Sequence, residues 1–436
     1  MINIYAKKLT PRLKYTVSLL FDHIYKASYQ LFDDKKAYKA EKGIHINYSA
    51  DRTLEGFWIR PSGLLMESSV EEVTPAIGHY EAITTLFADC KGQLPFDLFS
   101  AIFFLVTRYE EYLSYEKDVY GRFEANQSIA FQEDFIGTPV VNHYARFLME
   151  GLYEKYNYTP EHTPAFKTQL TFDIDNAYAF LHKSTARQTG GLLKKVVFGQ
   201  FHLFKEQLKA HINKEDPYDT YEYIAKAMKK YNHHPLFFIL MGGTGGVDRA
   251  INYESEQGKY LLEFLSDIGE VGLHPSLASN DSRDRLTKEK ESLEGIIQKQ
   301  VNTSRQHFIR LNLPDTYRRL IDVGITNDYT MGYASYPGFR ASIATPFPFF
   351  DLRANKVTKL MLHPFVMMDA TYRYYADVDP EQALANAIAI IHSIREVNGY
   401  CNVIFHNEII SDWHQWKGWK TFFDKVVEEL FYEEEQ

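Results

Sequence analysis

Cysteine is nearly missing from this chain: there are 2 in 436 residues, Cys90 and Cys401. Two distant cysteines cannot build a disulfide framework, and without a CxxC spacing they supply neither a thiolate zinc site nor a redox pair. Long apolar runs are missing too. The stretch Leu98–Val106 is apolar but far shorter than the roughly 20 residues that a membrane-spanning helix needs. The opening MINIYAKKLTPRLKYTVSLLF lacks the apolar core and small-residue cleavage site of a secretory signal, so the cytoplasm is the expected compartment. No long basic block occurs. Lys and Arg number 48 against 57 Asp and Glu, a formal net charge of −9, which makes gripping a nucleic-acid backbone a poor expectation. There is no GxSxG elbow, no internal repeat and no low-complexity tract. With 45% hydrophobic and 24% charged residues, the chain is composed like an ordinary globular protein, which argues against disorder, collagen and coiled coil.

The length is enough for two or three domains. A change of character falls at residues 157–168, where NYTPEHTPAFKT gathers prolines and threonines and reads as a linker. Residues 1–160 then form an N-terminal α+β domain of unknown role. Its strand-like runs include Gly56–Ile59, and its helical patterns cover Pro95–Tyr115 and Val140–Lys155.

The second domain, residues 168–436, is rhythmic. Apolar runs at Gln169–Phe172, Leu236–Leu240, Glu270–Leu273, His307–Leu311, Lys359–Leu362 and Asn402–Phe405 read as strands. Helical segments at Pro217–Lys230, Gly258–Asp267, Thr287–Gln300, Pro314–Val323 and Pro380–Val397 lie between several of them, and Trp416–Leu430 follows the last. Short buried strands alternating with helices predict a parallel α/β sheet with right-handed crossovers, either open or an incomplete barrel. Both architectures collect ligands at the carboxyl ends of the strands.

That rule selects the polar residues worth attention. The first strand of this domain runs into Asp173 and Asp175, two apart and therefore on one side. His274 ends the third strand, Arg305 and His307 bracket the fourth, His363 follows the next, and His406 ends the last. Singly, each is weak: an Asp-x-Asp often caps a turn, a strand-end His is often a satisfied buried ring, and an Arg often pairs structurally. Together at one end of a sheet, carboxylate and imidazoles suit zinc or another borderline divalent ion, with a second carboxylate left as a base.

Other features say less. MGGTGGVD, residues 241–248, lacks both the Lys-Ser/Thr ending of a phosphate loop and the third glycine of a dinucleotide fingerprint, and reads as a strand-to-helix turn. Residues 190–210 are amphipathic and suit a packed helix more than a lid or a membrane contact. Aromatics at 15% fit sugar stacking and fit a plain aromatic core equally well.

At these positions the chain resembles the polysaccharide deacetylase family, metal-dependent carbohydrate esterases that remove N- or O-acetyl groups. LTFDIDNAY resembles the family's first motif, GLHPS the start of its second, RQHFIRLNLP occupies the place of its arginine motif, and VIFHNE resembles its last. The stretch DYTMGYASYPGFRAS and the closing FHNE…GW also look like a bacterial subgroup with an extra N-terminal domain. The resemblance implies an incomplete (β/α) barrel of the deacetylase type and a divalent metal, zinc foremost. Asp173 would be the catalytic base, Arg305 its orienting partner and His406 the general acid. Asp175 and His274 would bind the metal. Arg340 and His363 are expected to bind substrate, a carbohydrate.

One departure bears on the metal. The family's second motif supplies two histidines four residues apart, and here the position four beyond His274 is Ala278. His307 is the first candidate for the missing ligand and His363 the second. A rival from another class is a non-catalytic carbohydrate-binding or scaffolding protein on a degenerate deacetylase fold. A glycosidase is disfavoured, because Asp173 and Asp175 sit on one side of the sugar rather than flanking the bond; Glu408 could supply the opposite carboxylate.

Overall fold

The N-terminal part starts with two strands buried along their whole length, β1 (Ile2–Ala6) and, after β2 (Tyr29–Phe32), β3 (Ile44–Tyr48), in which the polar residues Asn3, His45 and Asn47 are buried with the apolar ones. In the computed structural model, which describes residues 1–89, 91–183, 190, 198–243, 248 and 250–432, these pair with β4 (Phe57–Ile59) in the order β2-β1-β3-β4. All three pairings are parallel. The crossover habit expected only of the second part thus begins at the N-terminus, as strands buried on both faces favour. A separate antiparallel hairpin joins β5 (Ile77–Tyr80) and β6 (Ile83–Leu86).

The helix expected over Pro95–Tyr115 is shorter. It spans Leu98–Val106, opened by Asp97, whose side chain accepts from the Ser100 N–H at 3.2 Å. It ends because Arg108 takes a left-handed conformation (φ 54°), starting a separate single turn over Tyr109–Tyr112. That reversal turns Arg108 onto Glu111, 2.7 Å away and equally buried. The helix Val140–Tyr156 lies where its periodicity places it.

The C-terminal part is one nine-stranded sheet. Its strands are β7 (Lys167–Ile174), β8 (Leu236–Leu240), β9 (Glu270–His274), β10 (Thr303–Ser304), β11 (Asn327–Asp328), β12 (Phe347–Asp351), β13 (Lys356–Leu362), β14 (Met367–Met368) and β15 (Tyr400–His406). The order is β12-β13-β11-β10-β9-β8-β7-β15-β14, parallel throughout except for the β12/β13 hairpin. No pairing among the described residues joins β12 to β14, so the sheet is open and not a closed barrel. Helices Tyr221–Lys230, Glu256–Ile268, Arg283–Ile297, Asp315–Asp322, Pro380–Glu396 and Trp419–Leu430 accompany the strands. Several starts are capped by side chains, as at Ser255, Ser282 and Asp379, the last followed by Pro380 at the first helical position.

The expected strand His307–Leu311 does not form. Only Thr303–Ser304 pairs, and His307–Ile309 is a single turn in which Phe308 and Ile309 have φ of 59° and 55°. The apolar F-I-x-L spacing mimics a strand, but the chain leaves the sheet after Ser304. Strands β11 and β14, two residues each, are too short for any pattern to show. Of the amphipathic residues 190–210, Phe201–Asn213 is helix, while residues 191–197 lie outside the described residues. So do residues 244–247 of the glycine-rich turn.

One continuous apolar core runs through both parts of the chain. Tyr15 packs on Phe350 with ring centroids 5.0 Å apart, and its hydroxyl donates to the Pro348 carbonyl at 2.9 Å. Glu111 sits between Arg108 and Arg340, 2.6 Å from the latter, with all three side chains buried. Buried charges are tolerated only when paired and hydrogen-bonded, and here the pairing crosses from one part to the other. Among the described residues, no helix is long and apolar enough to cross a membrane.

Candidate active site

Parallel strands end at a common edge, and the register brings the polar residues level there. Asp173 on β7 is the cross-strand partner of His406 on β15, Leu240 on β8 is the partner of His274 on β9, and Leu273 is the partner of Ser304 on β10. Asp173, Asp175, His274, His307 and His406 all line one cavity of about 540 Å³ over this edge.

Asp175, His274 and His307 each offer a ligand atom, and these atoms lie within 4.8 Å of one another. The Nε2 of His274 is 3.1 Å from Asp175 Oδ1, and the Nε2 of His307 is 3.4 Å from Asp175 Oδ2. The far ring nitrogens explain the near ones. His274 Nδ1 lies 2.6 Å from the Arg305 carbonyl, which can only accept, so Nδ1 carries the proton. In the neutral ring, the Nε2 lone pair then faces a carboxylate. Asp175 Oδ1 is buried and accepts no hydrogen bond among the described residues. Lone pairs turned toward one another in this way fit a cation between them. His307 Nδ1 is 2.8 Å from Asp248 Oδ1, the carboxylate–histidine arrangement that orients metal-ligating rings.

Arg305 is fully buried. Its Nη1 donates to Asp173 Oδ1 at 2.7 Å, its Nε donates to the Tyr329 carbonyl at 3.0 Å, and its guanidinium lies 4.4 Å over the Phe238 ring. The other oxygen of Asp173, Oδ2, is 3.8 Å from His274 Nε2, at the edge of the cluster. On the neighbouring strand, His406 Nδ1 is 2.6 Å from Asp369 Oδ1, and His406 Nε2 is 3.8 Å from Asp175 Oδ2.

The protonation states follow from this crowd of carboxylates. Burial pushes the His406 imidazolium toward losing its proton, but Asp369, with Asp175 and Asp173, outweighs burial and raises its pKa to about 10. Burial lowers His307, and Asp175 and Asp248 raise it to about 9 while Nε2 carries a proton; a cation at that atom would take the proton's place. Burial raises the Asp175 carboxyl, but the charged form of the His307 ring outweighs it and holds the carboxyl well below its ordinary value.

Two other sequence candidates are elsewhere. Arg340 is 1% exposed, and its fork is committed to Glu111 (2.8 and 2.6 Å) and to the Gly332 carbonyl. His363 stacks on Tyr329 with ring centroids 4.3 Å apart, its Nε2 meets Asn327 Oδ1 at 3.0 Å, and burial lowers its pKa to about 4. Neither lines the cavity, and His363 is not in the ligand cluster. Glu408 does line it.

The sequence places the segment ending at Asp248 in a turn without giving that carboxylate a role, and it gives no signal for Asp369. Asp248 closes the glycine-rich turn, and Asp369 follows the two-residue β14; only the strand-end rule, applied to a strand too short to see, would have found Asp369. Tyr120, from the N-terminal part, also lines the cavity and was not anticipated.

Residues 2–157 match a family of unknown function, DUF7033. No curated protein matches the chain. Among solved structures, one from Mycobacterium smegmatis that carries the provisional name of a polysaccharide deacetylase overlaps at a TM-score of 0.41 and 14% identity, covering 63% of this chain and 86% of that one. A mutant of a CE4 family pseudoenzyme with restored enzymatic activity overlaps at a TM-score of 0.30 and 11% identity, over 61% of this chain and 62% of that one. At such overlaps the likenesses say nothing about chemistry, which rests on the residues described above.

Proposed function

We propose that this chain is a divalent-metal-dependent hydrolase that removes acetyl groups from a carbohydrate. The observation that carries the reading is the donor cluster Asp175–His274–His307 with the Asp173–Arg305 and His406–Asp369 pairs beside it. Cation, base and acid are the three functions that metal-assisted acyl hydrolysis needs.

Asp175 and the Nε2 atoms of His274 and His307 would hold the ion; one carboxylate and two imidazoles suit zinc. When bound, such an ion supplies a Lewis acid that lowers the pKa of water towards about 7 and polarises an acyl carbonyl. Asp173, oriented by Arg305, takes the proton of the attacking water as its oxygen bonds to the acyl carbon. His406 gives its Nε2 proton to the departing amine or sugar hydroxyl as the C–N or C–O bond breaks. Asp369 holds the His406 ring by Nδ1 and keeps it charged until that moment. Met368, Ala370 and Ile409 on the same wall offer apolar surface to an acetyl methyl group.

The test is elemental analysis of the purified protein with a His274→Ala control, followed by acetate release from acetylated glycans. About one divalent ion per chain, lost in the control, together with acetate release, is the expected result. No ion after incubation with zinc and no acetate from any glycan would leave a sugar-binding cleft as the better reading.

A further inference from the structure

The cavity lining carries aromatic rings that acyl hydrolysis does not require, and one comes from the N-terminal part. Tyr120 stacks flat on Phe308, with centroids 4.7 Å apart and planes 16° from parallel. Tyr375 and Tyr374 stand beside them on the cavity wall, 42% and 59% exposed. Arg122 ties the group together. Its guanidinium lies 4.9 Å from the Tyr120 ring centre and 5.6 Å from that of Tyr375. Its Nη1 donates to the Phe308 carbonyl at 2.8 Å and to the Tyr375 hydroxyl at 3.2 Å. Asp118 neutralises it through Nε at 2.7 Å and accepts the backbone N–H groups of Tyr120 and Arg122, fixing the loop that presents Tyr120.

We propose that Tyr120, Phe308 and Tyr375 form a sugar-stacking subsite beside the Asp175 cluster, built jointly by the two parts of the chain, with Arg122 as its positioning residue. The occupant is a pyranose ring of an oligosaccharide. Its C–H face matches a flat aromatic surface, and its hydroxyl rim matches tyrosine hydroxyls and the polar floor of the same cavity. Tyr120 and Phe308 are half-buried and cover one face of each other, while Tyr375 is 42% exposed on the same cavity lining, a surface that a ligand ring can cover. A Tyr–Phe stack serving only to glue the two parts together would not need to line the cavity, and Tyr120 does.

The subsite rests on the hydrolase reading only for its place; sugar binding is measured separately from turnover. The probes are β-linked tetrasaccharides, N-acetylated, O-acetylated and unacetylated, titrated calorimetrically into the full-length wild type, Tyr120→Ala, Tyr120→Phe and Arg122→Lys. Tyr120→Ala is expected to weaken binding about tenfold, with Tyr120→Phe restoring most of it. Arg122→Lys keeps the charge but loses the fork, and is expected to weaken binding in the same direction. On acetylated members, KM rises in Tyr120→Ala by more than kcat falls. Melting temperatures close to that of the wild type show that folding is not the cause. Unchanged affinity in Tyr120→Ala, or no member binding to the wild type, overturns the subsite. Binding through Tyr120 without acetate release keeps the subsite and removes the hydrolase reading; acetate release with KM unchanged in Tyr120→Ala does the reverse. Preference for an acetyl-lysine peptide over every sugar also overturns it.

Discussion

His406 and Asp369 meet at the ends of neighbouring parallel strands. The ring Nδ1 lies 2.6 Å from Asp369 Oδ1, and the His406 backbone N–H donates to Oδ2 at 2.8 Å. The double contact fixes both the ring and its charge. A general acid works only while protonated, so activity is lost as pH rises through its pKa. With Asp369 a principal cause of the raised value, Asp369→Asn is expected to move the alkaline limb of the kcat profile to lower pH. An alkaline limb that stays put in this variant would remove His406 from the acid role.

The ligand set can be tested apart from turnover. His307→Ala is expected to lose the bound ion, and His363→Ala to retain it, because His363 is stacked on Tyr329 away from the cluster. Elemental analysis of both proteins decides. Retention in His307→Ala together with loss in His363→Ala would reverse the assignment.

Asp173 separates base from ligand. Asp173→Asn should keep the ion while turnover falls by about 10²–10⁴, the range for loss of a general base. Near-normal acetate release from this variant would show that another group takes the proton.

Arg340 is expected to matter for stability. Its charge is buried against Glu111, which Arg108 also pairs, so Arg340→Ala leaves that buried site short of one cation. Breaking one partner of such a pair costs about 3–5 kcal/mol. Urea unfolding should show a loss of that order. A stable variant with a raised KM would instead return Arg340 to substrate binding.

Asp328 gives a pH signature independent of the cavity. Burial raises its pKa to about 6 in spite of hydrogen bonds from Thr330 and Ser304. The folded protein therefore binds this proton more tightly than the unfolded chain does, and stability is lost as pH rises from about 4 to about 6. The loss is about 3 kcal/mol. Asp328→Asn has no such proton, so between pH 4 and 7 its stability should improve relative to the wild type by about that amount. A constant difference across this range would contradict the shift.

The sequence alone determined which residues to watch and which elements carry most of them. Strands β7, β8, β9 and β15 are each five or more residues long with an apolar stretch inside them, and several helices announce themselves by Ser255, Ser282 and Asp379 at their starts. Because parallel strands end at a shared edge, the residues Asp173, Asp175, His274, Arg305, His307 and His406 could be named before any distance was known. Only the tertiary structure decided how they meet. His307 reaches Asp175 through a turn of positive-φ residues that no periodicity encodes, and Asp248 and Asp369 arrive from a glycine-rich turn and a two-residue strand. Arg340 and His363 carry the same chemistry in sequence, yet Glu111 and Tyr329 claim them, because a side chain's partners are set by which elements pack together. Tyr120, some fifty residues before Asp173 and in the other part of the chain, lines the same cavity for that reason.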